Sequence, residues 1–196
     1  MRFLSIMINS VIFLSTLVIV LRYFRKEGHW DHERGKTAFR FFTCQSNVLC
    51  AVAALFMALA QIKGTIPFGI WLLKYLGTVT VTVTMMTVFL YLGPTMGGYK
   101  ELLAGENLYM HLIGPLLAIV SFCIIERGYM SLQIAFLGVV PVICYGLLYL
   151  YKIKFAAEDT QWPDFYGFNK TGNWPVSYVA MVAGTIVICM ILRVLG

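Results

Sequence analysis

Along this chain the apolar residues gather into six long runs separated by short polar stretches. The runs cover about Phe3–Arg22, Ala38–Ile62, Phe68–Leu92, Leu108–Ile125, Leu132–Tyr151 and Pro175–Leu195. Each approaches or exceeds the roughly 18 to 20 residues a helix needs to cross a ~30 Å hydrocarbon core. Backbone polar groups in lipid must be satisfied internally, so runs of this length read as helices. One stretch, Thr78-Val79-Thr80-Val81-Thr82-Val83-Thr84, alternates as a strand would. A lone strand in lipid would leave its backbone unpaired, and the helical reading wins. Wound as helix, Thr80, Thr84 and Thr87 share one face and Thr78 and Thr82 another. There they bond back to carbonyls or pack helix against helix, and a hydroxyl-lined substrate cavity is the other reading. The pattern predicts an all-α, polytopic integral membrane protein, with six transmembrane helices in one bundle and one domain over residues 1–196.

The first run follows Met1-Arg2 as a signal peptide would, but it is too long and lacks a small-residue cleavage site. It ends in Arg22-Tyr23-Phe24-Arg25-Lys26, a stop-transfer pattern, so it is expected to remain as a helix.

Composition agrees with this class. The chain is 60% hydrophobic and 12% charged, with mean hydropathy +0.80, which fits a polytopic membrane protein. The net charge of +6 raises a nucleic-acid reading, and its distribution refutes it. Ten of the fifteen Lys and Arg residues lie in or beside the connections after runs one, three and five, and five lie on the opposite side. That excess predicts a cytoplasmic location for the odd-numbered connections and outside termini, in a plasma or inner membrane. Basic connections facing anionic headgroups call for membrane lipids as partners and no nucleic acid. Asn169-Lys170-Thr171 fits a glycosylation sequon, but on this topology it faces the wrong compartment. The five cysteines all fall within predicted helices and show no zinc or disulfide spacing, so they read as small buried hydrophobes.

Candidate chemistry sits at the heads of two runs. Phe41-Phe42-Thr43-Cys44-Gln45-Ser46-Asn47 is a polar knot opening the second, and Thr43, Ser46, Asn47 and Cys50 share one helical face. His111 opens the fourth run, on the same side of the membrane. Polar side chains at such depth are costly enough to be functional candidates. A hydroxyl and an imidazole together suit a nucleophile and its base. In the competing reading, Thr43 and Ser46 satisfy backbone groups and Asn47 ties two helices together. Asn47 and Ser46 are also candidate donors to an oxyanion. The last odd-numbered connection, rich in aromatics from Trp162 to Trp174, reads either as an interfacial belt or as a cover over the site. In the second case Asp164 is placed to orient His111 as a third member. His29-Trp30-Asp31-His32-Glu33 has metal-ligand residue types, but lacks a suitably spaced third partner, so no metal or organic cofactor is expected.

The run Phe39-Arg40-Phe41-Phe42-Thr43 before an apolar helix, with Met110-His111 heading a later one, resembles the androgen-induced gene 1 / FAR-17a / Pr6Pr-like family of six-helix membrane proteins. Thr43-Cys44-Gln45-Ser46-Asn47 is closer to the bacterial members' pattern. The resemblance implies an intramembrane hydrolase of lipid esters, such as fatty acid esters of hydroxy fatty acids, with Thr43 and His111 as catalytic residues. Two other functions stay open. One is a non-catalytic lipid-binding or transport protein with a polar cavity on the cytoplasmic side, and the other a structural or regulatory membrane partner.

Overall fold

The structure, a computed structural model, describes residues 1–170 and 172–196, so the third residue of the Asn169-Lys170-Thr171 sequon lies outside the described residues. Among the described residues, six helices are long and apolar enough to cross a membrane. They are Arg2–Tyr23, Phe42–Lys63, Phe68–Thr95, Glu106–Ile125, Leu132–Phe155 and Trp174–Leu195, referred to as spans 1 to 6. The only strands among the described residues form a two-residue hairpin, Arg25–Lys26 against His29–Trp30. The chain is an all-α, six-helix, multi-pass membrane protein.

The second apolar run begins later than its hydropathy predicts. His32–Ala38 forms a separate short helix, capped by Asp31, whose carboxylate accepts from the Arg34 amide. Phe41 then takes extended backbone (φ −85°, ψ 136°) and caps span 2, which starts at Phe42. Thr43 is therefore the second residue of its helix, in the turn whose amides have no intrahelical acceptor.

Span 3 is the hub. Its most apolar window is 61% buried, against 17% for span 6, and residues Gly77–Met85 are buried without a break. Burial on every side explains why no single face of this helix is apolar. Four of its six threonines lie in the buried stretch and are satisfied locally: Thr78, Thr80, Thr82 and Thr84 donate to the carbonyls of Lys74, Gly77, Thr78 and Thr80 at 2.7–3.2 Å. At Gly77 a Cβ would stand 2.8 Å from the Cys50 Cα, so this glycine lets spans 2 and 3 touch.

Spans 3 and 4 share a distortion. Each widens into a π-helical turn before a Gly-Pro pair: Val88–Leu92 before Gly93-Pro94, and Tyr109–Ile113 before Gly114-Pro115. Proline has no N–H for the carbonyl four residues back. The preceding glycine amide instead reaches back five residues, to Val88 and Tyr109. His111 sits at the centre of the second bulge, and such bulges recur at functional sites.

Between spans 5 and 6 the chain folds over the start of span 2 and the end of span 5. Trp162, Phe165, Tyr166 and Phe168 pack on Tyr145, Tyr149, Leu150 and Ile153, and the Phe165 ring lies 4.3 Å from that of Phe41. The aromatics thus cover the end of the bundle that holds Thr43.

Candidate active site

Thr43 and His111 come together. Thr43 Oγ1 lies 3.3 Å from His111 Nε2, and His111 Nδ1 lies 2.6 Å from the Leu102 carbonyl oxygen. A carbonyl only accepts, so Nδ1 carries the ring proton. Nε2 of the neutral imidazole then presents a lone pair, and the Thr43 hydroxyl donates to it. This is the tautomer a general base requires.

Leu102 owes its place to the connection between spans 3 and 4. Gly97 and Gly105 turn it with positive φ (78° and 54°), a conformation that favours glycine. The ring of Tyr99 lies over Gly93, where a Cβ would come within 2.0 Å of it. Tyr99 also donates to the Phe89 carbonyl at 2.9 Å. These contacts fold the connection back onto span 3 and present Leu102 to the imidazole.

The three supporting candidates have other partners. Asn47 Nδ2 donates to the Thr43 carbonyl (2.9 Å) and to the Met110 carbonyl (3.0 Å). Both its N–H groups are engaged, so it ties span 2 to span 4 beside the pair and is not a free oxyanion donor. Ser46 Oγ lies 2.8 Å from Thr84 Oγ1 and 3.1 Å from the Thr43 carbonyl, so its single proton is used within the bundle. Asp164 does not orient His111. Its Oδ1 accepts from the Tyr149 hydroxyl (2.8 Å) and the Phe168 amide (2.9 Å), and its Oδ2 from the Asn169 amide (2.7 Å). Asp164 shapes the covering loop, while the Leu102 carbonyl takes the orienting position.

Tyr166 supplies what the sequence reading missed. The Phe42 amide donates to its hydroxyl at 3.0 Å, which brings the phenol to the first turn of span 2 beside Thr43. Burial pushes this phenol up to about 12, while the hydrogen bond from the Phe42 amide pulls the other way. It therefore keeps its proton at neutral pH. In the sequence Tyr166 is one aromatic among many, and nothing local distinguishes it.

Thr43 and Tyr166 both line a cleft of about 450 Å³ between spans 3, 5 and 6 and the covering loop. Val83, Val142, Met181 and Ile188 make its walls apolar, and Leu90 and Val176, both largely exposed, stand at its rim. That volume lies within the range of small-molecule sites. No family model, no curated protein and no solved structure matches this chain.

A second polar cluster lies at the other end of the bundle. Lys74, one of the five basic residues assigned from the sequence to the side opposite the odd-numbered connections, is fully buried in span 3. Its Nζ donates to Asn9 Oδ1 at 2.6 Å and lies 3.8 Å from Glu126 Oε2. Glu126 Oε1 accepts from Ser5, Asn9 and Ser121 at 2.5–2.9 Å, and Oε2 has no hydrogen-bond partner among the described residues. The His29–Glu33 segment forms no metal cluster among the described residues, since Asp31 caps a helix and Glu33 pairs with Lys36 at 2.7 Å. Four cysteines are buried as expected, but Cys144 is exposed.

Proposed function

We propose that the protein is an intramembrane hydrolase of lipid esters, with Thr43 as nucleophile and His111 as general base, related to the androgen-induced gene 1 / FAR-17a / Pr6Pr-like family. The observation that carries the reading is the 3.3 Å contact between Thr43 Oγ1 and His111 Nε2, with the ring proton held on Nδ1 by the Leu102 carbonyl. A threonine whose role is structural bonds to its own backbone, as Thr78, Thr80, Thr82 and Thr84 of span 3 do. Thr43 donates to a base.

In the reaction, the Thr43 oxygen bonds to the ester carbonyl carbon as its proton passes to His111 Nε2. The ester C–O bond breaks, and the departing alcohol oxygen takes that proton, leaving acyl-Thr43. Water then gives a proton to Nε2 while its oxygen bonds to the acyl carbon. The Thr43 oxygen leaves with the proton, and the fatty acid is free. One ester and one water become one acid and one alcohol.

The apolar cleft suits the acyl chain, with Thr43 and Tyr166 on its lining for the ester group. The excess of Lys and Arg in the connections after spans 1, 3 and 5 supports a cytoplasmic site end, outside termini, and a plasma or inner membrane. On that orientation, ester arrives from the bilayer and water from the cytoplasm. The same cleft also suits a second reading, a non-catalytic lipid binder or transporter.

Hydrolysis of p-nitrophenyl decanoate by the purified protein separates the two. Thr43→Ala and His111→Ala each lower turnover roughly 10³-fold or more, and the double variant is little worse than either because the pair acts as a unit. Thr43→Ser keeps measurable activity. Turnover falls as pH drops through the imidazole's titration, since a protonated Nε2 has no lone pair to accept the Thr43 proton. Saturable decanoate binding with no turnover in the wild type would leave the lipid-binding reading.

A further inference from the structure

An acyl-transfer site needs a donor where the carbonyl oxygen becomes negative, and the two residues that the sequence offered for it, Asn47 and Ser46, are engaged elsewhere. We propose that the hydroxyl of Tyr166, delivered across the bundle by the covering loop, is the catalytic oxyanion donor of this site. The inference rests on the acyl-transfer reading above.

Four observations converge on it. The phenolic oxygen accepts from the Phe42 amide at 3.0 Å, one residue before the nucleophile, so it is fixed while its own proton remains to be given. Tyr166 and Thr43 line the same cleft, so a chain bound there meets both groups. In the tetrahedral intermediate the oxyanion and the threonine oxygen sit on one carbon, so a donor beside Thr43 is beside the oxyanion. Finally, the phenol is held by its backbone: the Tyr166 amide donates to the Tyr149 hydroxyl at 3.0 Å, and that hydroxyl donates to Asp164 at 2.8 Å. Asp164 and Tyr149 are then positioning residues for Tyr166.

A phenol must be protonated to act this way, and burial keeps Tyr166 so at neutral pH. The reaction gains no new step. As Thr43 attacks, the carbonyl π electrons move onto oxygen, and the Tyr166 O–H hydrogen bond to that oxygen shortens without proton transfer. A donor of this kind contributes about 10²- to 10³-fold to turnover.

The experiment compares wild type, Tyr166→Phe and Tyr149→Phe on p-nitrophenyl decanoate and on a fluorophosphonate that phosphonylates the nucleophile. Tyr166→Phe is expected to lower kcat about 10²-fold with little change in KM, and to slow phosphonylation of Thr43 in proportion. Tyr149→Phe loosens the loop but keeps the phenol, and is expected to lose much less. Replacing Tyr166 with a fluorinated tyrosine keeps the shape and lowers the phenol's pKa. The alkaline limb of kcat should then move to lower pH, because a phenolate cannot donate, and this readout survives if the phenylalanine variant fails to fold. Normal kcat and labelling in Tyr166→Phe overturns the inference alone. Equal losses in Tyr166→Phe and Tyr149→Phe with an unmoved alkaline limb overturn it in favour of a purely structural loop. A wild type that neither turns over ester nor labels at Thr43 removes the acyl-transfer reading and this inference with it.

Discussion

The two ends of this bundle each hold buried polar side chains, yet they are built in opposite ways. At one end Lys74, Glu126, Asn9, Ser5 and Ser121 close on one another in the interior, with both members of the ion pair fully buried. At the other end Thr43 and His111 bond to each other, but the hydroxyl lies on the wall of a 450 Å³ cleft. The first cluster closes on itself, with Glu126 Oε2 facing Lys74 at 3.8 Å but accepting no hydrogen bond among the described residues, and holds spans 1, 3 and 4 together. The second places Thr43 and Tyr166 on the wall of a void, with the His111 imidazole bonded behind the threonine hydroxyl. Cost alone does not mark a polar residue in a membrane as catalytic, because both clusters are costly. Unused bonding capacity beside a void is the difference.

The largest expected effect on stability belongs to the closed cluster. Lys74→Ala leaves Glu126 as an unpaired buried charge, and removing one partner of such a pair costs about 3–5 kcal/mol. Thermal unfolding in detergent should show that loss, while turnover per folded molecule stays near wild type. The paired replacement Lys74→Met with Glu126→Leu should recover most of the stability. A Lys74→Ala protein that is stable but catalytically dead would break the division between the two ends.

A smaller effect is expected at Asp164. Asp164→Asn keeps one acceptor oxygen and loses the bond from the Asn169 amide, a change of about 1 kcal/mol. Turnover should fall modestly through the loosened loop, and the acid limb of the pH profile should not move. A moved acid limb would mean that the Asp164 carboxylate acts on His111 directly.

Much of this was legible in the chain, for a definite reason. Hydropathy is local, so six apolar runs announce six spans, and Thr43 and His111 stand out as polar residues at the heads of two of them. The misreadings share a different cause. Whether Asn47, Ser46 or Asp164 has a free donor or acceptor depends on groups far away in sequence, such as the Met110 carbonyl, the Thr84 hydroxyl and the Phe168 amide. Lys74 was hidden because its neutralising partner, Glu126, lies in a turn after another span. Without Lys74 the charge tally is ten against four, and its sign is unchanged. The late start of span 2 follows from the Asp31 cap and the extended Phe41, neither of which hydropathy registers.

The central claim is that Thr43 is a nucleophile activated by His111. Its most direct test is to treat the purified wild type with a fluorophosphonate bearing a decyl chain, and to map the modified residue by mass spectrometry. The account predicts one stoichiometric phosphonyl group on Thr43, absent in Thr43→Ala and strongly slowed in His111→Ala. An unmodified Thr43 under conditions where decanoate ester is still hydrolysed, or modification that persists in Thr43→Ala, would contradict it.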